Sequence, residues 1–488
     1  MKIIVVLICS CIFSQILVAQ EEITSLQKAL QRFFSFSGLE HAAISFEVVD
    51  LSTGESLASH QPKMALPTAS IMKLFSTAGA FELIDPYYIP KTRVYFNGEI
   101  DSLGVLNGDI WVRGGGDPSL GSRYFEKHGE QRNFLNTWVT KVLDFGIKKV
   151  NGSVIVDASE FGYEGVPEGW SWGDMGNYYG TGPSGMVFMD NTTFFDFSTS
   201  KKVGDSTWLN CMRPHVEGLN FRNEIKSASV RGDNSYIFGA PFSMERFGKG
   251  SLPLNKNSFE VKASIPDPEW LLAQEFQMEL AQFIPFENAP RGVRNFSAEE
   301  REKIDYSKMK ECFSWDGKML QTIAYWTNQK SVNLFAEQLV CLTSYKKHNN
   351  GSISEGINVM NNFWRPIVGN GFVMADGSGL ARKNAASANH FVKMLAYMEK
   401  SKHWEDFKQT LPIAGKSGTL STVCRGQFAD GKIFAKSGTM ARIKSYTGYV
   451  ESNSGKRLAF ALIVNNHTCT NFQLVKEMEK LFNEMARY

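Results

Sequence analysis

Ser70-Ile71-Met72-Lys73, Ser331-Val332-Asn333 and Lys436-Ser437-Gly438-Thr439 stand in that order along a chain of 488 residues. Any one of them is weak. Ser-x-x-Lys recurs at Ser25/Lys28, Ser307/Lys310 and Ser344/Lys347, Ser-x-Asn recurs at Ser387/Asn389, and Lys-Ser-Gly-Thr recurs at Lys416 to Thr419. Order and context separate the three from their copies. Ser70 follows Leu66-Pro67-Thr68-Ala69 and opens an apolar helical run through Leu74, Phe75, Ala78, Ala80 and Phe81. A proline suits the turn just before a helix. Ser331 opens a second helix, expected to be amphipathic, with Leu334, Phe335, Leu339 and Val340 as its buried stripe. Lys436 falls on a strand predicted over 433–440.

The residue types carry chemistry. A serine hydroxyl attacks well only when a neighbouring base takes its proton. Positions i and i+3 share a helix face, so Lys73 can reach Ser70. A lysine acts as a base only when neutral. Burial and a nearby second cation, here Lys436, are both expected to lower its pKa.

The ordered trio is the signature of penicillin-recognising active-site serine enzymes. From about residue 40 to its C-terminus the chain resembles the class C low-molecular-mass penicillin-binding proteins, the three-domain D-alanyl-D-alanine carboxypeptidase/endopeptidases. Five further segments carry the resemblance: Gly114-Gly115-Gly116-Asp117-Pro118-Ser119-Leu120, Trp170-Ser171-Trp172-Gly173-Asp174 with Tyr178-Tyr179, Asp376-Gly377-Ser378-Gly379-Leu380-Ala381-Arg382, Leu411-Pro412-Ile413-Ala414-Gly415 running on to Ser417-Gly418-Thr419-Leu420, and Tyr446-Thr447-Gly448-Tyr449-Val450. The fourth block precedes the active-site strand in this family, which makes Lys436 the site lysine and leaves Lys416 outside it.

The resemblance implies an acyl-enzyme hydrolase of bacterial wall peptides, acylated by β-lactams. Ser70 would attack and Lys73 would take its proton. Ser331 would pass the proton towards the leaving amine, and Asn333 would hold Lys73 and the substrate amide. Lys436, with Ser437 and Gly438 beside it, would face the substrate's terminal carboxylate. The backbone N–H groups of Ser70 and Thr439 would form the oxyanion hole. Arg382 would bind a carboxylate on the peptide side chain, Asp174 would face the ammonium of a diamino acid, and Met440 would line the same pocket. Two departures stand out. Val332 replaces a frequent Asp, with its side chain expected to point away from the site, and Ser437 replaces the usual Thr but keeps the hydroxyl.

Composition limits the alternatives. Formal net charge is +2, which favours no nucleic-acid partner. Gly114 to Gly116 with Asp117 lacks a following Gly-Lys-Ser/Thr, so it reads as a tight turn and not a phosphate loop. There is no Cys-x-x-Cys pair and no His-Glu-x-x-His, so neither a metal nor any cofactor is expected. Residues 1–19 read as a secretion signal: Lys2, an apolar core over 3–13, and a small residue at Ala19. The apolar run is too short to span a bilayer. A periplasmic protein with no integral membrane segment after signal removal follows. Lipidation through Cys11 fits the neighbouring residues poorly. Beyond the signal five scattered cysteines remain, which is no disulfide framework.

The pattern along the chain places the pieces. A helix over 23–36 and strands over 41–50 and just past 55 precede the Ser70 helix. Strands over 433–440, 445–451 and 458–465 and a closing helix over 472–486 end the chain. This suggests an α+β fold, one antiparallel sheet built from both termini and flanked by helices. Residues 20–87 and 263–488 would form the catalytic domain. Residues 88–262, rich in short strands and glycine turns, would be two inserted β-rich domains, with the catalytic domain resuming near the helical pattern over 268–283. A β-lactamase uses the same trio, but the large insertion argues against one. A catalytically weak wall-binding scaffold would not need the intact Ser70, Lys73, Ser331, Asn333 and Lys436.

Overall fold

The computed structural model describes residues 24–488, and the expected signal segment lies outside them. Thr24 caps the helix Ser25–Phe34 through a capping box with Gln27. Strands from both ends of the chain then build one antiparallel sheet, in the order Ile433–Met440, Ile443–Glu451, Arg457–Asn465, Ala43–Asp50, Ser56–His60. Alternation along Arg457–Asn465 divides its side chains between two cores. Leu458, Phe460, Leu462 and Val464 pack with Leu26, Leu30 and Phe33 of the first helix and Leu474, Met478 and Phe482 of the last, Asn471–Arg487. Ala459, Ala461 and Ile463 face the larger core, where the Ser70 helix lies.

That larger core explains one departure from the pattern reading. Helix Asn333–His348 is buried continuously from Leu334 to Ser344, so it is a central helix and not an amphipathic one. Helices Lys73–Leu83, Leu320–Lys330 and Ile353–Val368 surround it. A helix covered on all sides has no polar face, which leaves Glu337 and Gln338 buried.

Two large apolar cores occupy the insertion, with a small third cluster of Tyr95, Trp111, Ile155, Val293 and Phe296. The outer one belongs to a five-stranded sheet, Arg291–Gly292, Val154–Asp157, Ile110–Arg113, Lys91–Phe96, Lys310–Asp316. The inner one, around Phe195, Phe197, Ile225, Ile237 and Val261, lies between two three-stranded sheets within residues 192–264. The expected return near residue 263 is corrected here. Helix Pro268–Ala281 buries Leu271, Leu272, Phe276 and Leu280 against Val94, Trp138 and Val154 of the outer core. Strand Lys310–Asp316 pairs with Lys91–Phe96. The chain rejoins the larger core at Leu320–Lys330, because apolar periodicity shows that a helix has a buried face but not which core receives it.

The edge strand Ile433–Met440 positions the site. Pro412 and Ala414 hydrogen-bond to its first half, through Ala435 N to Pro412 O and Ala414 N to Ile433 O, both at 2.9 Å. Among the described residues no strand pairs with the outer side of Lys436 to Met440.

Candidate active site

Ser70 lies in a 3-10 turn, Ala69–Met72, that runs into the helix Lys73–Leu83. Ala69 holds φ at +50°, a left-handed conformation unusual for a residue with a Cβ. The seat is built by close backbone approach. A Cβ on Gly379 would overlap Ala69 O, and a Cβ on Gly438 would lie 3.0 Å from Ser70 N and overlap Ser445 Oγ. Glycine at those two positions lets the Asp376–Ala381 loop and the edge strand close on Ser70 from two sides.

Lys73 is fully buried. Its Nζ lies 3.1 Å from Ser70 Oγ, 2.6 Å from Asn333 Oδ1 and 2.7 Å from Ser378 O. Burial pulls its pKa down to about 7, against the opposing pull of the Asp376 and Glu337 charges. A neutral amine has two N–H bonds and one lone pair. With both N–H groups given to the Asn333 and Ser378 oxygens, the lone pair is left for the Ser70 hydroxyl. Burial is the leading cause at Lys73, and the repulsion between the two lysines is expressed at Lys436. Burial drives the Lys436 pKa well down, and the Lys73 and Lys444 charges push the same way.

Lys436 Nζ donates to Ser331 Oγ at 3.0 Å and to Ser437 O at 2.8 Å. Ser331 sits at the corner between helices Leu320–Lys330 and Asn333–His348, with φ at +59°. Asn333 donates from Nδ2 to Tyr179 O at 2.8 Å, which ties the motif to the inserted part of the chain. Val332 points away, into the core between the helices. Ser437 Oγ donates to Thr419 Oγ1 at 2.9 Å, so the second Lys-Ser-Gly-Thr copy braces the first. Its own lysine stays outside: Lys416 is exposed and paired with Asp430 at 3.0 Å.

Sequence reasoning missed the frame behind these residues. Glu337 accepts from Gly377 N at 2.8 Å and Ser378 N at 2.7 Å. Asp376 accepts from Trp170 Nε1 at 2.8 Å, Gly379 N at 2.7 Å and Asn384 Nδ2 at 2.7 Å. Together they present Ser378 O to Lys73. Burial and the Asp376 charge raise the Glu337 pKa. One signal was available: Glu337 lies one turn after Asn333, on the same helix face.

Asp174, Arg382 and Met440 take no part in this hydrogen-bonded frame. Asp174 sits on the short helix Trp172–Met175, and Tyr179 OH donates to its Oδ1 at 3.2 Å. Burial raises its pKa, while Tyr179 and the Arg382 charge pull it back. Arg382 is exposed. Met440 ends the edge strand half-buried, beside a surface pocket lined by Thr439, Arg442, His467 and Cys469.

The chain as a whole has known relatives. The profile of the D-Ala-D-Ala carboxypeptidase 3 (S13) family matches residues 26–486. The chain belongs to that family. The S13 match takes in the whole sheet, all three motifs and the insertion. Among curated relatives, D-alanyl-D-alanine carboxypeptidase DacB of Haemophilus influenzae is 22% identical over 469 residues, covering 92% of each chain. The D-alanyl-D-alanine carboxypeptidase of Actinomadura sp. (strain R39) is 24% identical over 458 residues, covering 91% of this chain and 82% of its own. The crystal structure of H. influenzae penicillin binding protein 4 superposes with a TM-score of 0.76 at 19% identity, covering 95% of this chain and 100% of the other. That likeness shows the fold, including the inserted sheets. Among the described residues no helix is long and apolar enough to cross a membrane.

Proposed function

We propose that this S13 chain is a periplasmic serine D-Ala-D-Ala carboxypeptidase that also cuts peptide cross-links as an endopeptidase. One observation carries the reading: a buried lysine with its pKa near 7, donating to two carbonyl oxygens, lies 3.1 Å from the Ser70 hydroxyl. Lys73 takes the Ser70 proton as Oγ attacks the carbonyl of the penultimate D-alanine. The N–H groups of Ser70 and Thr439 stabilise the oxyanion. The proton moves through Ser331, which Lys436 polarises, to the leaving nitrogen as the C–N bond breaks. D-alanine leaves, or the cross-linking amine does, and water then hydrolyses the ester. The open half of the edge strand suits an extended peptide that adds as a further strand. β-Lactams would be trapped as the ester. No cofactor enters these steps.

Asp174 and Arg382 would hold the ammonium and carboxylate of a diamino acid in the stem peptide of peptidoglycan, with Met440 beside them. A fluorescent penicillin tests the assignment. One covalently labelled band is expected, absent in Ser70→Ala and retained in Ser417→Ala. Labelling that survives Ser70→Ala would remove the reading. Incubation with wall fragments, read by mass spectrometry, should show loss of D-alanine and of cross-linked dimers.

A further inference from the structure

Lys444 takes no part in these steps, yet it is built like a binding residue. It sits on strand Ile443–Glu451 directly opposite Thr439. Opposite residues of an antiparallel pair share a face. The register therefore puts Ser437, Thr439, Lys444 and Tyr446 on one side of the sheet. Because Ile433–Met440 is the edge strand, a peptide lying along it meets side chains from both faces.

Lys444 is only 8% exposed. Its Nζ donates to Thr439 Oγ1 at 2.7 Å and lies 4.8 Å above the Tyr446 ring. An ammonium has three donors, and among the described residues Thr439 is its sole hydrogen-bond acceptor. No carboxylate of the described residues pairs with it. Lys436, three residues back from Thr439 along the edge strand and on its other face, has no carboxylate partner either. Burial without an anion pulls the Lys444 pKa down to about 8. A buried amine without a counter-ion, beside the unpaired half of an edge strand, suits an anion.

We propose that Lys444 is a specificity-determining residue: with the hydroxyl of Thr439, its ammonium binds the carboxylate α to the leaving amine. This rests on the D-Ala-D-Ala peptidase reading. A terminal D-alanine carries that carboxylate, and so does the D-centre of a cross-linking diamino acid. The contact serves both reactions and favours substrates whose leaving group bears the free acid.

The test compares an N-acylated D-Ala-D-Ala peptide with its C-terminal amide, for wild type, Lys444→Met, Lys444→Gln and Lys444→Arg. Saturating penicillin counts the active molecules in each preparation. Losing a charged hydrogen bond to substrate is expected to lower kcat/KM for the acid by about 10- to 100-fold, chiefly in KM. The amide should change by less than about twofold, and Lys444→Arg should recover most of the acid activity. Equal losses on both peptides, or no loss on the acid, would overturn the proposal. Should Lys444→Met fail to fold, the Gln variant gives the same comparison. Should wild type cleave neither peptide, the peptidase reading falls and takes this contact with it.

Discussion

Replacing Lys73 with methionine removes a base and a buried ionisable group together, and the two consequences have opposite signs. Wild-type Lys73 is fully buried with a pKa near 7, against an ordinary value of 10.5 in the unfolded chain. At pH 7 the unfolded lysine is protonated and the folded one about half so. That gap destabilises the native state by about 4 kcal/mol at pH 7, at about 1.4 kcal/mol per pH unit. Methionine fills similar volume but strands the Asn333 and Ser378 oxygens, at roughly 1–1.5 kcal/mol each. The expected net is a variant more stable than wild type by about 1–2 kcal/mol at pH 7, with acylation slowed by about 100-fold or more.

The pH dependence gives the decisive readout. Between pH 7 and 10.5 the unfolded wild-type chain binds more protons at this site than the folded one, so wild-type stability rises with pH across that window. The variant lacks this contribution. Lys444 titrates alike in both proteins, while Lys436, freed of the Lys73 charge, is less depressed in the variant and narrows the gap with pH in the same direction. Thermal unfolding of the pair at pH 7, 8, 9 and 10, by differential scanning calorimetry, should show the advantage of Lys73→Met shrinking as pH rises. A variant less stable than wild type at pH 7, or a gap that widens with pH, would mean that Lys73 is held protonated by Asp376 and Glu337. The neutral-base mechanism would then be wrong.

Gly438→Ala places a methyl group 3.0 Å from Ser70 N and in overlap with Ser445 Oγ, so penicillin acylation should fall by about 10-fold or more, with the Tm lowered. Arg382→Ala should lower kcat/KM for a peptide carrying a free diamino-acid end by about 10- to 100-fold and spare a simple diacyl dipeptide; if both substrates fall together, Arg382 is structural. All five cysteines of residues 24–488 are unpaired, so activity and Tm should be unchanged in reducing agent, and inactivation on mild reduction would reveal a bridge. Acylation should rise with pH through about 7 as Lys73 loses its proton, and a flat profile from pH 5 to 8 would place the base elsewhere.

What could be read from the chain was what lies close in sequence or repeats a local pattern. Ser70 and Lys73 share one helical turn, and residues 458–464 are a continuous apolar run that forms a central strand buried on both faces, so the nucleophile pair and the sheet from both termini were legible. Choosing Lys436 over Lys416 needed the neighbouring Leu-Pro-Ile-Ala-Gly block, since the two tetrapeptides are identical. The structure gives the physical difference: Lys436 is buried against Ser331, and Lys416 is exposed on Asp430. The helix Pro268–Ala281 was recognised as a helix but assigned to the wrong core, because its apolar face fits either partner until the strands are paired.

The unread part of the site has a common cause. Ser378 O meets Lys73 across 305 positions, Asn333 across 260, and Asp376 meets Trp170 across 206. No periodicity spans such separations. These contacts also set the chemistry, since a lysine three residues after a serine is ordinarily a solvated cation with a pKa near 10.5. It becomes a base only when packing removes water and two carbonyl oxygens occupy its N–H bonds. The central burial of helix Asn333–His348, which the stripe reading understated, supplies that packing and fixes Asn333, Glu337 and the loop carrying Ser378. Reactivity at Ser70 is therefore a property of the folded core. A substitution that loosens the core without touching the motifs, such as Leu339→Ala, should let water reach Lys73, raise its pKa and move the acylation limb to higher pH.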